Sequence, residues 1–146
     1  MDTERLQPLI GSWSMGMGAP PDPDAVGAET VFAWLEGRRF VIQRWQVPHP
    51  EAPDGIAVIG FDAERGTFLQ HYFDSRGVAR LYVMSFENGV WKLSRTAADF
   101  TPLSFAQRFT GALSEDGATI AGRWEKSSDG GSSWELDFEL FYVRRG

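Results

Sequence analysis

The chain has 146 residues and no cysteine, which is long enough for one domain with its own core and excludes disulfides, thiolate metal ligands and cysteine nucleophiles. A formal net charge of −6 argues against a nucleic-acid partner, which would require a basic face. No apolar stretch has the length of a membrane span, and the N-terminus lacks a signal-peptide pattern. We therefore expect a single cytoplasmic domain over residues 1–146, without membrane contact.

The first third of the chain predicts one short helix and three strands, separated by loops too rich in proline for regular structure. Pro8 limits the helix, and Glu36-Gly37-Arg38 is a turn between two apolar runs. The predicted elements are helix Asp2–Ile10, strands Gly11–Met17, Ala28–Leu35 and Arg39–Val47, and irregular loops at 18–26 and 47–54.

The stretch Gly55–Leu93 is the clearest part of the pattern. It contains four short runs rich in Val, Ile, Phe, Tyr and Trp, cut by three glycine-bearing turns at 63–66, 74–77 and 88–89, as expected for an antiparallel meander. After an irregular loop at 98–104, the remaining predicted strands are Phe105–Leu113, Thr119–Ser127 and Trp134–Arg144.

These runs add up to about ten strands with no helix long enough for a crossover. Strands at such regular spacing form a sandwich or an up-and-down barrel. Because every connection is local, and because closure removes exposed sheet edges, we predict an all-β, ten-stranded antiparallel barrel with the N-terminal helix closing one end.

The register of the strands follows from the turns. Asn88-Gly89 predicts a two-residue hairpin that pairs Phe86 with Trp91. A four-residue loop at 74–77 would pair His71 with Arg80, and a three-residue turn at 36–38 would pair Trp34 with Phe40. Alternation along each strand then assigns an inward face.

The predicted inward residues divide into an apolar body and a polar end beneath the long loops, where barrels often bind small molecules. We expect Trp34, Phe40, Trp91 and Trp124 to line the body, and Arg44, His71, Arg80, Tyr82, Arg95 and Gln107 to form the polar end.

Three inward arginines without an inward carboxylate indicate an anionic group on the ligand, since an unpaired buried charge is costly. The competing interpretation is that the arginines reach solvent or pair with Glu29, Asp74 or Asp99, which a register error of one residue would allow. His71 is either a structural histidine or a general acid/base beside Tyr82. Two distant histidines predict no metal site.

Residues 127–134 match the S-x-D-x-G-x-T-W pattern of an Asp box, with Ser133 in place of Thr. The resemblance is to a motif of sialidase-like propellers. It implies a hairpin turn closed by Asp129 and, since it occurs once, no glycosidase activity.

The whole chain resembles a bacterial family of lipocalin-like (calycin-type) barrels without an assigned function. The resemblance rests on Leu9–Trp13, Ile59–Asp62, His71–Gly77, Gly122–Glu125 and Asp129–Gly131, and it implies a fold more than a chemistry. The Gly11-x-Trp13 start is also similar to nitrobindin-type haem barrels, which hold haem on a histidine near the C-terminus. No histidine follows His71, so we expect no haem and no other cofactor. Fatty-acid-binding barrels are similar in placing interior Arg and Tyr on a carboxylate.

We therefore expect a barrel that binds a small hydrophobic or amphipathic ligand, mostly apolar and with an anionic group. Two alternatives remain open: an enzyme of cyclase or isomerase type that uses His71 or Tyr82, and a packed barrel that acts through its surface. The sequence is also compatible with a homodimer.

Overall fold

The computed structural model describes residues 2–146 as a closed barrel of ten antiparallel strands preceded by a 3₁₀ helix. Each strand pairs with its neighbours in the chain, and β1 pairs with β10 to close the barrel. The predicted all-β class, strand number and topology are confirmed. The elements are the helix Asp2–Leu9 and strands β1 Gly11–Met17, β2 Glu29–Trp34, β3 Phe40–Gln46, β4 Gly55–Asp62, β5 Thr67–Asp74, β6 Ala79–Glu87, β7 Val90–Arg95, β8 Ala106–Leu113, β9 Thr119–Ser127 and β10 Glu135–Arg144.

The up-and-down connectivity separates two ends of the barrel. The tight turns after β2, β4, β6 and β8 lie with the N-terminal helix at what we term the closed end. The loops 18–28, 47–54 and 96–105 lie at the other, which we term the mouth. Leu6 and Leu9 of the helix are fully buried, and Thr3 donates a hydrogen bond to the Arg38 carbonyl at 3.2 Å. The helix therefore closes the barrel as expected.

Arg144 and Trp13 join the two chain ends at the closed end. The Arg144 guanidinium lies 4.1 Å from the centroid of the buried Trp13 ring, whose Nε1 donates to the Leu9 carbonyl at 2.9 Å. The same guanidinium donates to the carbonyls of Pro8, Ile10 and Gly117 at 2.6, 2.7 and 3.1 Å. One side chain thus ties the last strand to the helix and to a neighbouring turn.

The closed half of the interior is filled by aromatic rings in edge-to-face or tilted contact. Trp91 lies 5.7 Å from Phe32, 4.8 Å from Phe109 and 5.8 Å from Tyr142, measured between ring centroids. Phe109 fits because Gly122 has no side chain: a Cβ there would lie 2.6 Å from its ring. This half is a packed core.

The register of β6–β9 agrees with the prediction. Asn88 and Gly89 form the turn with φ of 53° and 74°, and Phe86 pairs with Trp91. Tyr82, Trp91, Arg95 and Gln107 are all buried, and Trp124 is half-buried on the same inward face.

The register of β3, β4 and β5 differs from the prediction by one residue, so the side chains predicted to face the core face outward and their neighbours face inward. The loop between β5 and β6 has three residues, 75–77, because Asp74 N donates to the Val78 carbonyl; Arg80 therefore pairs with Tyr72 and not with His71. The loop between β2 and β3 has four residues, 36–39, so Trp34 pairs with Val41 and not with Phe40. The residues wrongly placed inside are Phe40, Ile42, Arg44, Ile56, Val58, Leu69, His71 and Phe73, all of which lie on the outer face.

The turn before β10 has the geometry that the Asp-box resemblance implies. Asp129 accepts hydrogen bonds from the Ser127 hydroxyl at 2.7 Å and the Ser133 amide at 2.9 Å. Beyond it, an irregularity in the β9–β10 pairing between Leu136 and Phe138 leaves Leu136 49% exposed, although alternation predicted it to be inward.

Candidate functional site

Aromatic side chains form a connected arc around the inside of the mouth. We define the aromatic arc as Trp45, Tyr72, Tyr82, Trp124 and Phe138, from strands β3, β5, β6, β9 and β10. Successive ring centroids are separated by 5.2, 6.0, 5.7 and 6.5 Å. Tyr82, at the centre of the arc, is 2% exposed, and the other four rings are half-buried, so the arc is an apolar wall of packed rings at the loop end.

Gly55 allows the arc to cross β4. A Cβ at this position would lie 2.2 Å from the Trp45 ring, so a side chain would displace the indole. Without one, Trp45 lies over β4 and stacks on Tyr72 with an interplanar angle of 28°. The loop 47–54 also fixes the indole, because Trp45 Nε1 donates to the Pro53 carbonyl at 3.2 Å.

Tyr82 and Gln107 form a buried polar pair below the arc. The Tyr82 hydroxyl donates to Gln107 Oε1 at 3.0 Å, and Arg80 Nη1 donates to the same oxygen at 3.4 Å. Burial raises the pKa of Tyr82, and the nearby Arg80 charge opposes this only in part. The phenol therefore stays protonated near neutral pH and acts as a hydrogen-bond donor, not as a base.

Arg80 is an inward arginine without a carboxylate partner. Within residues 2–146 no Asp or Glu oxygen lies within 4.0 Å of its guanidinium. Its Nε is buried and makes no hydrogen bond, and the same holds for Gln70 Oε1 on the adjacent strand β5. Three buried side-chain polar atoms of the described residues thus lack a hydrogen-bond partner: Arg80 Nε and Gln70 Oε1 near the mouth, and Trp91 Nε1 in the packed core.

Arg95 is buried as predicted, but its charge is already paired. It donates to both carboxylate oxygens of Asp99, at 3.0 and 2.9 Å, and to the Thr101 carbonyl at 2.6 Å. Hydrogen bonding from Arg95 holds the pKa of Asp99 well below its usual range, and Asp99 also accepts from the Leu81 amide at 2.7 Å. Arg95 therefore anchors the loop 96–105 to the wall, which was the competing interpretation.

Asp74 is a second carboxylate at the mouth, where the predicted register had none. Burial opposes its ionisation, but hydrogen bonds from Arg76 and Tyr72 outweigh that effect and lower its pKa to about 2. The Tyr72 hydroxyl donates to it at 2.7 Å, and burial together with this bond raises the Tyr72 pKa. Arg76 pairs with it at 2.6 Å. The carboxylate is thus occupied within its own turn.

Five further predicted residues lie away from this cluster. Phe40, Arg44 and His71 are exposed on the outer face, for the register reason given above. Trp91 lies in the packed core. Trp34 lies at the closed end, where its Nε1 donates to Gln7 Oε1 at 3.0 Å. Four residues of the predicted set lie together at the mouth, and Nε of the first has no hydrogen-bond partner: Arg80, Tyr82, Gln107 and Trp124.

The predicted register assigned the inward polar and aromatic residues of β3 and β5 to the outer face. These are Gln43 and Trp45 on β3 and Gln70 and Tyr72 on β5. A signal for β5 was present, because the glycine that ends Asp74-Ser75-Arg76-Gly77 suits a three-residue hairpin loop with its last residue left-handed, and Gly77 has a φ of 84°.

Two depressions lie outside the barrel wall. One, of about 480 Å³, is bordered by the loops near Val26 and Val47 and by the ion pair of Arg145 with Glu29. The other, of about 490 Å³, lies along β6–β9 beside the pair of Arg108 with Glu125.

No cluster of three or more His, Asp or Glu side chains suited to a metal occurs in the described part of the chain. None of its helices is long and apolar enough to cross a membrane.

Comparison with known proteins supports the fold. No protein-family model matches the sequence, and no curated protein is significantly similar to it. Among solved structures, the crystal structure of Rv2717c from M. tuberculosis is similar with a TM-score of 0.61, at 19% sequence identity, over 97% of this chain and 98% of that chain. At this identity the likeness extends to the barrel fold alone.

Proposed function

We propose that the barrel binds a small, mostly apolar molecule in its mouth, with an anionic group of the ligand on Arg80. The observation that carries this proposal is the inward guanidinium with no carboxylate partner and a free buried Nε. An inward arginine left unpaired is costly, whereas a carboxylate, sulfonate or phosphate would satisfy it.

The surroundings of Arg80 suit the rest of such a ligand. The aromatic arc supplies apolar contact, the protonated Tyr82 hydroxyl lies in reach of the same Gln107 oxygen as Arg80, and Gln70 Oε1 offers a free acceptor. The proposed binding residues are therefore Arg80, Tyr82, Gln107 and Trp124, joined by Gln70 and Trp45. Arg95 holds the adjacent loop.

The test uses 1-anilinonaphthalene-8-sulfonate, an anionic aromatic fluorophore, as the probe. We expect saturable binding to the wild-type chain and at least a tenfold weaker affinity for Arg80→Met, a loss of about 1.4 kcal/mol. Arg123→Met is the matched control, since Arg123 is exposed on β9 and the charge change is the same. Equal affinities for wild type and Arg80→Met would refute the role of Arg80.

We also propose that the chain is a lipocalin-like barrel. It is supported by the Gly11-x-Trp13 start of β1, the closed ten-strand topology and the closing N-terminal helix. A cytoplasmic location is likewise proposed, on the absence of cysteine from the sequence.

A packed barrel that acts through its surface is the second candidate. It is favoured by the filled closed half and by the position of both depressions outside the wall. It predicts no saturable binding of the sulfonate probe. The enzymatic alternative has less support, because His71 lies on the outer face and Tyr82 is held protonated.

A further inference from the structure

We propose that Gln70 makes the ligand site selective for acids that also carry a hydrogen-bond donor, an N–H or O–H group a few bonds from the anionic group. The inference rests on the proposed function, because it concerns the same site and takes the anionic group to lie on Arg80. It narrows the class of ligand to a small apolar acid with such a donor.

Gln70 is a buried amide on the inward face of β5, and its oxygen has no partner. The side chain is 3% exposed, and Oε1 makes no hydrogen bond within residues 2–146. A buried carbonyl oxygen loses its water on folding, so leaving it unpaired costs free energy. Most buried polar side-chain atoms of folded proteins have a partner, and the exceptions call for an explanation.

A second buried glutamine shows how a structural amide is bonded in this barrel. Gln43 on β3 is 5% exposed, and its Nε2 donates to the Thr30 hydroxyl at 3.2 Å. Trp91 Nε1 also lacks a partner, but it lies among the rings of the packed core in the closed half. Gln70 differs from both because it lies next to the polar groups of the mouth.

The strand register places Gln70 beside the groups proposed to hold the anion. Gln70 pairs with Tyr82, and Arg80 is the next inward residue of β6 toward the mouth. Diagonal neighbours of this kind lie about 7–8 Å apart, a distance that two long side chains can close. The guanidinium of Arg80 and the protonated hydroxyl of Tyr82 are donors. Gln70 Oε1 is therefore an unpaired acceptor next to two donors.

A simple carboxylate would complete only part of this group. Its oxygens accept hydrogen bonds from Arg80, but they cannot pair with Gln70 Oε1, because both are acceptors. An acid with an N–H or O–H group nearby satisfies both residues. A site with a buried hydrogen-bonding group rejects analogues that lack the matching group, because its own polar atom then stays unpaired.

Arg80 is held loosely enough to admit such a ligand. The hydrogen bond from Arg80 Nη1 to Gln107 Oε1 is long, at 3.4 Å. Its side chain is half-buried, so it lies between solvent and the deeper Gln70. Movement of this one side chain would open the way from the mouth to the amide.

Two probes of similar shape and equal charge test the selectivity. Indole-3-acetate has a ring N–H, and 1-benzothiophene-3-acetate has a sulfur atom in its place. By isothermal titration calorimetry, we expect the wild-type chain to bind the indole acid at least about fivefold tighter. Gln70→Met should bring the ratio of the two affinities close to one. Gln43→Met is the matched control and should leave the ratio unchanged, because Gln43 is bonded to Thr30.

The outcomes separate this inference from the proposed function. Arg80→Met should weaken the binding of both acids, whereas Gln70→Met should weaken only that of the indole acid. Equal wild-type affinities for the two acids, or an unchanged ratio in Gln70→Met, would overturn the selectivity and leave the anion site standing. Binding of neither acid to the wild-type chain would overturn both proposals.

A second measurement needs no ligand. Gln70→Met removes an unpaired buried oxygen, so it should raise the urea midpoint of the ligand-free chain. Gln43→Met breaks the hydrogen bond to Thr30 and should lower the midpoint. If Gln70→Met lowered the midpoint as much as Gln43→Met, the Gln70 amide would be a structural group, and the proposal would be wrong.

Discussion

Replacement of Arg144 by Met should destabilise the barrel by removing the bonds that join its two chain ends. The guanidinium makes three hydrogen bonds to backbone carbonyls and lies on the Trp13 ring. A hydrogen bond from a charged donor is worth about 1.5–3 kcal/mol and the cation–π contact about 1 kcal/mol. Because Arg144 is only half-buried and water can reach the freed carbonyls, we expect a net loss near 3 kcal/mol.

Urea denaturation followed by tryptophan fluorescence measures this loss directly. In a thermal scan it corresponds to a fall in Tm of about 9 °C, at roughly 3 °C per kcal/mol for a domain of this size. Arg145→Met is the matched control: its guanidinium makes a partly exposed ion pair with Glu29 at 2.7 Å, and its loss should cost less than about 1 kcal/mol. If Arg144→Met were no more destabilising than Arg145→Met, the joining role assigned to Arg144 would be wrong.

Two further substitutions test the packing and the loop anchor. Gly122→Ala should lower the free energy of unfolding by about 2 kcal/mol, because its Cβ would lie 2.6 Å from the Phe109 ring and 2.7 Å from the Leu140 carbonyl; an unchanged urea midpoint would contradict this packing. The pKa of Asp99 is lowered in the folded chain, so the Arg95–Asp99 ion pair adds its full contribution to the free energy of unfolding above the unfolded-state pKa of about 4. This contribution is lost as the pH falls below that value and Asp99 is protonated. Wild-type stability should therefore decline between about pH 5 and pH 2, and Asp99→Asn should be less stable at pH 7 with a shallower decline; an equal slope would refute the pair's part in it.

The turns decided how much of the barrel could be predicted from sequence. Asn88-Gly89 admits one tight hairpin, so the faces of β6 and β7 were correct, and the prediction held through β8 and β9. The turn at 36–39 gave no comparable signal, since its glycine suits loops of three or four residues. Leu35 N in fact donates to the Phe40 carbonyl across a four-residue loop.

The one-residue register error could not be recognised from the sequence, because β4 is apolar on both faces. On β4, Ala57 and Ile59 face the core while Ile56 and Val58 face outward, so alternation could not distinguish the two registers. The sequence named Asp99 as one possible partner of an inward arginine, but it could not select the Arg95–Asp99 pair, because a contact between a strand and an irregular loop depends on the path of the loop.

Native mass spectrometry of the protein, purified gently from its own host, would show directly whether a ligand is bound through Arg80. We expect wild-type protein with a bound small molecule that carries an anionic group, and Arg80→Met at the mass of the bare chain. Wild type and variant both at the bare mass, or both retaining the same molecule, would contradict it.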